Sequence, residues 1–153
     1  MSKVTISLRD VISALEAASD ESASYLDPET GEIVLVTEDE RVMAEEDCWE
    51  DAPDWQREIM PKIRAALEGD RWLELPDSFE IHEWSIMERF SQTQKIERIR
   101  SELLNAIHGA GAFRAFRTAI RQLGLEQSWY QFRDDALADI ARCWLDEHHL
   151  QYT

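Results

Sequence analysis

The fold class of this chain is decided by residues 24–36, which read Ser24-Tyr-Leu-Asp-Pro-Glu-Thr-Gly-Glu-Ile-Val-Leu-Val36. Pro28 presets φ for a turn, and Gly31 supplies a positive φ just before a β-branched, apolar run. The pattern predicts a β-hairpin. Because an isolated hairpin is only marginally stable in water, it must pack on helices or gain a third strand.

A third strand is predicted at Arg71-Trp-Leu-Glu-Leu-Pro76, where Pro76 would confine the segment to a sheet edge or end it. Most of the remaining chain has helical periodicity. We therefore expect an α+β fold that is predominantly helical, with a small antiparallel hairpin near the N-terminus packed on a C-terminal helical bundle.

Three capping patterns mark helix starts in the N-terminal half. Ser7 with Asp10, and the capping box Thr37-Glu-Asp-Glu40, each place an oxygen acceptor before a helical pattern. Asp54 is predicted to cap a third helix, which Pro61 should kink or split. The predicted buried face of that helix consists of Trp55, Ile59, Ile63 and Leu67.

The C-terminal half is predicted to be a series of helices. Gly109 and Gly111 break the pattern once, and Gly124 is suited to end the helix that starts near Ala112. The residues expected to be buried are Phe79, Trp84 and Met87, then Ile96, Ile99, Leu103 and Ile107, then Phe113, Phe116, Ile120 and Leu123, and finally Trp129, Phe132, Ala136, Ile140, Cys143 and Trp144.

Length and composition indicate one folded domain over residues 1–153. The chain is 44% hydrophobic and contains six tryptophans, which is typical of a folding chain. No apolar run approaches the roughly 18 residues that span a bilayer, and the N-terminus lacks the apolar core of a secretory signal. We therefore expect a cytoplasmic protein without membrane association, in which Cys48 and Cys143 are free, buried thiols.

Charge divides the chain into two portions. Residues 1–80, the predicted α/β portion, contain 22 acidic and 7 basic residues, whereas residues 81–153, the predicted helical portion, contain 10 and 9. The net charge of −16 repels nucleic acid and favours basic partners or cations. The simplest interpretation of the acidic portion is a solvated face.

The stretch His108-Gly-Ala-Gly-Ala-Phe-Arg-Ala-Phe-Arg117 places a glycine pair before a helix with a cationic row. Free N–H groups at a helix start, together with arginines, are suited to bind phosphate or carboxylate. The candidate anion site is Gly109, Gly111, Arg114, Arg117 and Arg121. The competing interpretation is a structural corner between two helices, whose arginines pair with the acidic half of the chain.

Motifs for catalysis, cofactors and metals are not found in the sequence. The glycines lack the GK[ST] of a P-loop and the third glycine of a dinucleotide fingerprint. The acidic residues between Glu45 and Asp54 do not have the spacing of an EF-hand loop. We predict no catalytic residue, no cofactor and no functional metal.

Several segments together resemble the small bacterial proteins grouped as uncharacterised protein family 0158. They are Ala14-Leu15-Glu16, Tyr25-Leu26-Asp27 with Gly31-Glu32-Ile33, Leu75-Pro76, Met87 to Phe90, Gly109 to Phe116, Trp129-Tyr-Gln-Phe132 and Trp144-Leu145. The resemblance implies a bacterial cytosolic protein with the fold of that family. It implies no activity and no catalytic residue.

These observations support three hypotheses of function. The first is a non-enzymatic acidic interaction or regulatory domain that binds a protein partner, with a basic partner favoured by the charge. The second is an enzyme or sensor that binds a phosphorylated small molecule or nucleotide at Gly109–Arg117. The third is a nucleic-acid mimic that occupies a basic partner, while direct binding of nucleic acid is disfavoured by repulsion.

Overall fold

The structure is a computed structural model that describes residues 4–153 and divides into two compact units. Unit 1 comprises Met1–Ile81 and Ile140–Thr153, and unit 2 comprises His82–Asp139. The division after Ile81 coincides with the change in charge along the sequence.

Helices make up most of unit 2 and nearly half of unit 1, and the predicted α+β class is confirmed. Unit 1 contains α1 (Leu8–Glu16), β1 (Ser22–Leu26), β2 (Ile33–Thr37), α2 (Glu38–Glu46), α3 (Asp54–Glu68), β3 (Leu73–Glu74) and α4 (Ser78–Ile81). Unit 2 contains α5 (Glu83–Gln92), α6 (Glu97–Ile107) and α7 (Ala112–Gln122). The last helix, α8 (Glu126–Glu147), begins in unit 2 and ends in unit 1.

The three strands form an antiparallel sheet in the order β2-β1-β3. The hairpin register runs from Ser22 opposite Thr37 to Leu26 opposite Ile33, and β3 adds Glu74 opposite Tyr25. Both the predicted hairpin and the predicted third strand are confirmed. β3 has only two residues and ends before Pro76, as expected for a proline that cannot donate to a sheet.

A buried carboxylate holds the hairpin turn. Asp27 is only 1% exposed, and it accepts hydrogen bonds from the Glu29 N–H at 3.0 Å, the Thr30 hydroxyl at 3.0 Å and the Arg71 guanidinium at 2.9 Å. Gly31 has φ +79°, as the turn pattern requires. The contact with Arg71 ties the segment before β3 to the hairpin.

The capping predictions are right at two helices and wrong at the third. The Ser7 hydroxyl accepts from the Asp10 N–H, and Thr37 with Glu40 forms the complete capping box of α2. At α3 the N-cap is Pro53, which makes no side-chain cap. Asp54 is instead the first helical residue and forms an ion pair with Arg57, so its carboxylate is already occupied.

Pro61 does not split α3, which is continuous over its 15 residues. Pro61 is exposed, so the carbonyl it leaves unpaired one turn earlier can reach water. Neighbouring Met60 and Ile63 are fully buried against β2 and α2, and this packing holds the helix together. The buried face of α3 differs from the predicted one, since Trp55 was expected to be buried and is 62% exposed.

Unit 2 has an aromatic core. The ring of Phe90 packs edge-on against Phe116, Trp129 and Phe132, and Phe116 and Trp129 are 4.9 Å apart between ring centroids. Such edge-to-face pairs stabilise a core beyond the area they bury. The helical rows predicted for this region therefore place Phe116, Ile120 and Trp129 correctly as buried residues.

Besides Trp55 and Cys48, four residues predicted to be buried are exposed, and the position of each relative to its helix explains why. Phe79 is 88% exposed; it lies in the short helix α4, which His82 with φ +51° separates from α5. The other three are Ile96, which precedes α6, Phe113 in the first turn of α7, and Cys143, which points away from the buried side of α8.

Candidate functional site

The predicted anion site lies at the connection between α6 and α7 in unit 2. His108 caps the end of α6, and Gly111 precedes α7 with φ +67°. No side chain caps the start of α7, so its first N–H groups remain available to another acceptor. The predicted break between helices is confirmed, and a Cβ added at Gly109 or Gly111 would meet no atom within 4 Å. The connection is therefore open to its surroundings.

The cationic row is exposed along α7. Arg114, Arg117 and Arg121 are exposed, whereas Phe116 and Ile120 of the same helix are buried, and α7 contains no acidic residue. Among the described residues, none of the three guanidinium groups has a hydrogen-bond or ion-pair partner. The row presents three positive charges over about 10 Å of helix.

Trp84 supports the connection from α5, a role that the sequence did not predict. Its indole N–H donates to the carbonyl of Ile107 at 2.9 Å, and its ring lies edge-on to His108 at 5.8 Å. This carbonyl belongs to the last turn of α6, where carbonyl groups have no N–H partner within the helix. Trp84 supplies the missing hydrogen-bond donor. No spacing in the sequence relates residue 84 to residue 107.

The net charge of the protein belongs entirely to unit 1. Unit 1 contains 24 acidic and 8 basic residues, which gives −16, whereas unit 2 contains 8 of each and is neutral. The two units therefore differ more in charge than residues 1–80 and 81–153 do. The reason is that the last 14 residues of the chain belong to unit 1.

Most basic side chains of unit 1 are already engaged by carboxylates. The ion pairs are Arg41 with Glu38 and Glu45, Arg57 with Asp54, Lys62 with Glu32, Arg64 with Asp47 and Glu68, and Arg71 with Asp27 and Glu29. The hydrogen bond from Arg41 holds the pKa of Glu38 below its usual value. Exposed carboxylates that lack any such partner among the described residues include Glu21, Glu46, Glu50, Asp51 and Glu74.

A cavity of about 300 Å³ opens in unit 1 where the sheet meets the starts of α2 and α4. We call it the acidic cleft. Its carboxylates are Asp20, Glu21, Glu38, Glu74 and Asp77. Among residues 4–153, Arg41 is the one basic residue that lines it, and that guanidinium is already shared between Glu38 and Glu45. The cleft therefore combines residues that are far apart in sequence into one negative concavity, which sequence patterns did not reveal.

Hydrogen bonds hold part of the acidic cleft in place. The Asp20 carboxylate accepts from the Ser78 hydroxyl at 2.7 Å, and Asp77 accepts from the Glu80 N–H at 2.8 Å. Tyr25 lines the cleft opposite Glu74 across the β1–β3 pair. Burial raises the pKa of the Tyr25 hydroxyl, and the negative charge of Glu74 raises it further.

The acidic residues between Glu45 and Asp54 do not form a metal centre. Within residues 4–153, no three His, Cys, Asp or Glu side chains are arranged to hold a metal ion. Asp47 is instead bonded to Arg64, whose guanidinium also lies 5.7 Å from the ring centroid of Trp49. Cys48 and Cys143 are free, as predicted, but both are exposed rather than buried.

Comparisons with known proteins give a family and no activity. Neither the curated proteins nor the solved structures contain a match to this chain. In the part of the chain that the structure describes, no helix combines the length and the apolar composition needed to cross a membrane. A model of an uncharacterised family matches residues 1–153, and the chain therefore belongs to uncharacterised protein family UPF0158.

Proposed function

We propose that this protein is a non-enzymatic interaction or regulatory domain whose unit 1 binds a basic protein partner. One observation carries the proposal: unit 1 holds the whole net charge of −16, and its own basic side chains are largely occupied in ion pairs. The carboxylates left over cannot be neutralised from within the unit. They attract a surface of opposite charge instead.

The charge also defines how such a partner would bind. Exposed carboxylates accelerate the encounter with a basic surface and disfavour acidic competitors, and salt weakens both effects. We place this interaction in the bacterial cytoplasm, where a reducing environment keeps the two exposed thiols free.

An affinity experiment with charge-neutralised bait tests the proposal. The full chain and a Glu46→Gln/Glu50→Gln/Glu74→Gln variant are immobilised, and proteins retained from an extract of the source cells at low ionic strength are identified. We expect a basic protein that the wild type retains and that the variant retains less. An Arg114→Ala/Arg117→Ala bait, which makes the chain more acidic, is the control and should retain that protein. Failure to recover a basic protein in repeated trials would overturn the proposal.

Competition with DNA separates an ordinary partner from a nucleic-acid mimic. If unit 1 occupies the nucleic-acid surface of a basic protein, duplex DNA should displace the retained protein from the bait. Retention that is indifferent to DNA would rule out the mimic and leave an interaction at another basic surface.

A second candidate function is binding of a phosphorylated small molecule or nucleotide between Gly109 and Arg121. The observation that favours it is the absence, among the described residues, of any partner for Arg114, Arg117 and Arg121, next to an uncapped helix start. Backbone N–H groups and guanidinium forks are both suited to phosphate oxygens.

Thermal shift with phosphate, sulfate and a nucleotide panel tests this second candidate. Ligand at about 100 times its Kd should stabilise the protein by about 2.7 kcal/mol, which is measurable as a higher Tm. Arg114→Ala should remove the shift, whereas Arg98→Ala, which removes an exposed arginine from the first turn of α6, should keep it. No shift with any ligand would eliminate this function.

A further inference from the structure

We infer that the acidic cleft receives an arginine side chain of the basic partner and is the specific docking point on unit 1. The inference rests on the proposed binding of a basic protein. It goes beyond that proposal because it assigns one concave site, and one residue type, to an interaction that charge alone would leave spread over the surface.

The size of the cleft suits a side chain. Its volume of about 300 Å³ lies at the small end of ligand pockets, which measure roughly 300–1,000 Å³. The lining mixes carboxylates with hydroxyl groups, including those of Tyr25 and Thr37. Such a lining offers several acceptors to a donor-rich group.

The arrangement of charge makes the incoming group a cation. The carboxylates of Asp20, Asp77 and Glu38 already accept hydrogen bonds, but those of Glu21 and Glu74 have no hydrogen-bond or ion-pair partner among the described residues. They reach the cleft from two separate places, the residue before β1 and the strand β3. A guanidinium fork offers five donors spread over three nitrogens and can bridge acceptors that come from different directions, whereas an ammonium group offers three donors from one nitrogen.

An exposed aromatic ring on the same cleft favours arginine over lysine. Phe79 lines the cleft and is 88% exposed, which leaves its ring face without a protein neighbour to cover it. A planar guanidinium stacks on an aromatic face and is more weakly hydrated than an ammonium, so it loses less when it leaves water. Charge and ring together thus select an arginine.

Fluorescence polarisation with defined peptides tests the docking point in the full-length protein. The probes are fluorescein-labelled tetra-arginine, tetra-lysine and the neutral tetra-citrulline, at low ionic strength. We expect tetra-arginine to bind more tightly than tetra-lysine, and tetra-citrulline not to bind. The Glu21→Gln/Glu74→Gln variant should raise the Kd for tetra-arginine about tenfold, by removing both unpartnered carboxylates.

Two further variants make the result specific to the cleft. Glu46→Gln/Glu50→Gln removes the same charge from exposed residues outside the cleft and should change the Kd less than about twofold. Phe79→Ala should raise the Kd for tetra-arginine about threefold and reduce the preference over tetra-lysine. Phe79 is too exposed for its truncation to unfold the protein, and circular dichroism verifies that each variant is folded.

The outcomes distinguish this inference from the proposed function. Equal loss of affinity in the two double variants would overturn the cleft as docking point and leave a diffuse acidic surface. Equal binding of tetra-arginine and tetra-lysine to the wild type would overturn the choice of arginine. Failure of the wild type to bind either basic peptide would overturn the proposed acidic interaction together with the cleft.

Discussion

At the scale of single residues, backbone conformation distinguishes the two glycines between α6 and α7. Gly111 has φ +67°, whereas the φ of Gly109 lies outside the left-handed region, and a Cβ at either position would meet no atom within 4 Å. Gly111→Ala should therefore lower the free energy of unfolding by about 1–2 kcal/mol, the cost of left-handed backbone for an L-residue.

The same substitution at Gly109 tests whether the positive φ of Gly111 is the cause of the destabilisation. Gly109→Ala should leave the free energy of unfolding unchanged or raise it by up to about 1 kcal/mol, because the unfolded chain loses freedom while the folded chain gains no strain. Urea denaturation of both variants makes the comparison. Equal destabilisation would mean that space, and not φ, demands glycine here.

A second prediction at the residue scale concerns the ionisation of Tyr25 in the acidic cleft. Burial and then Glu74 raise the pKa of its hydroxyl in the folded protein. Glu74→Gln should lower that pKa only part of the way back, since burial remains. Near-ultraviolet absorbance titration measures it, with Tyr25→Phe to assign the signal against the exposed Tyr130.

The raised pKa of Tyr25 also determines whether the free energy of unfolding rises or falls at alkaline pH. Below about pH 10 the Tyr25 hydroxyl is protonated in both the folded and the unfolded chain, so it contributes no pH dependence. Above that pH the unfolded chain ionises first, and the free energy of unfolding should fall until the folded pKa is passed. Tyr25→Phe should flatten this part of the profile. A Tyr25 signal that titrates at or below the pKa of tyrosine in a model peptide would contradict the prediction.

At the scale of elements, α3 continues through Pro61 because packing outweighs propensity. Pro61→Ala should raise the free energy of unfolding by about 1–2 kcal/mol: the roughly 3 kcal/mol penalty of an interior proline is partly offset by its stiffening of the unfolded chain. Glu58→Ala, at another exposed position of α3, should change the free energy by less than about 0.5 kcal/mol. Denaturation of the two variants side by side is the measurement, and a destabilised Pro61→Ala protein would refute the explanation.

The elements also separate what the sequence could predict from what it could not. The hairpin, the capping box at Thr37 and the helix end at Gly124 depend on residues within a few positions of one another, and all three are confirmed. At Gly124 the N–H of Leu125 bonds the Ile120 carbonyl at 2.9 Å, which completes the helix end. Local chemistry is sufficient to determine such features.

Features that depend on distant residues were missed. Helical spacing allowed Trp55 on the buried face of α3, but the sheet and α2 select the face that holds Met60 and Ile63. The acidic cleft combines carboxylates that lie up to 57 positions apart, from Asp20 to Asp77, so no window of sequence contains it. The cationic row was predicted as a row, yet only the structure establishes that Arg114 has no carboxylate partner among the described residues.

At the scale of the whole molecule, one charge distribution connects stability with the proposed function. The excess of 16 negative charges lies in unit 1, where short ion pairs engage much of the basic complement and leave many exposed carboxylates to repel one another. Such repulsion destabilises a compact state. A bound basic surface would relieve it, so binding of a basic partner should stabilise the protein by mass action as well as by neutralisation.

Repulsion within unit 1 predicts that salt stabilises the protein. Sodium chloride should raise the Tm by several degrees, because screening relieves the repulsion and about 1 kcal/mol corresponds to about 2–4 °C in a chain of this size. Glu46→Gln/Glu50→Gln/Asp51→Asn should raise the Tm at low ionic strength and reduce the effect of salt. Calorimetric melting measures both, with sucrose at equal osmolality as the non-ionic control. A Tm that falls with salt would mean that the ion pairs of Arg41 and Arg64 stabilise the protein more than repulsion between the unpaired carboxylates destabilises it. In that case a basic partner would relieve no net repulsion in unit 1.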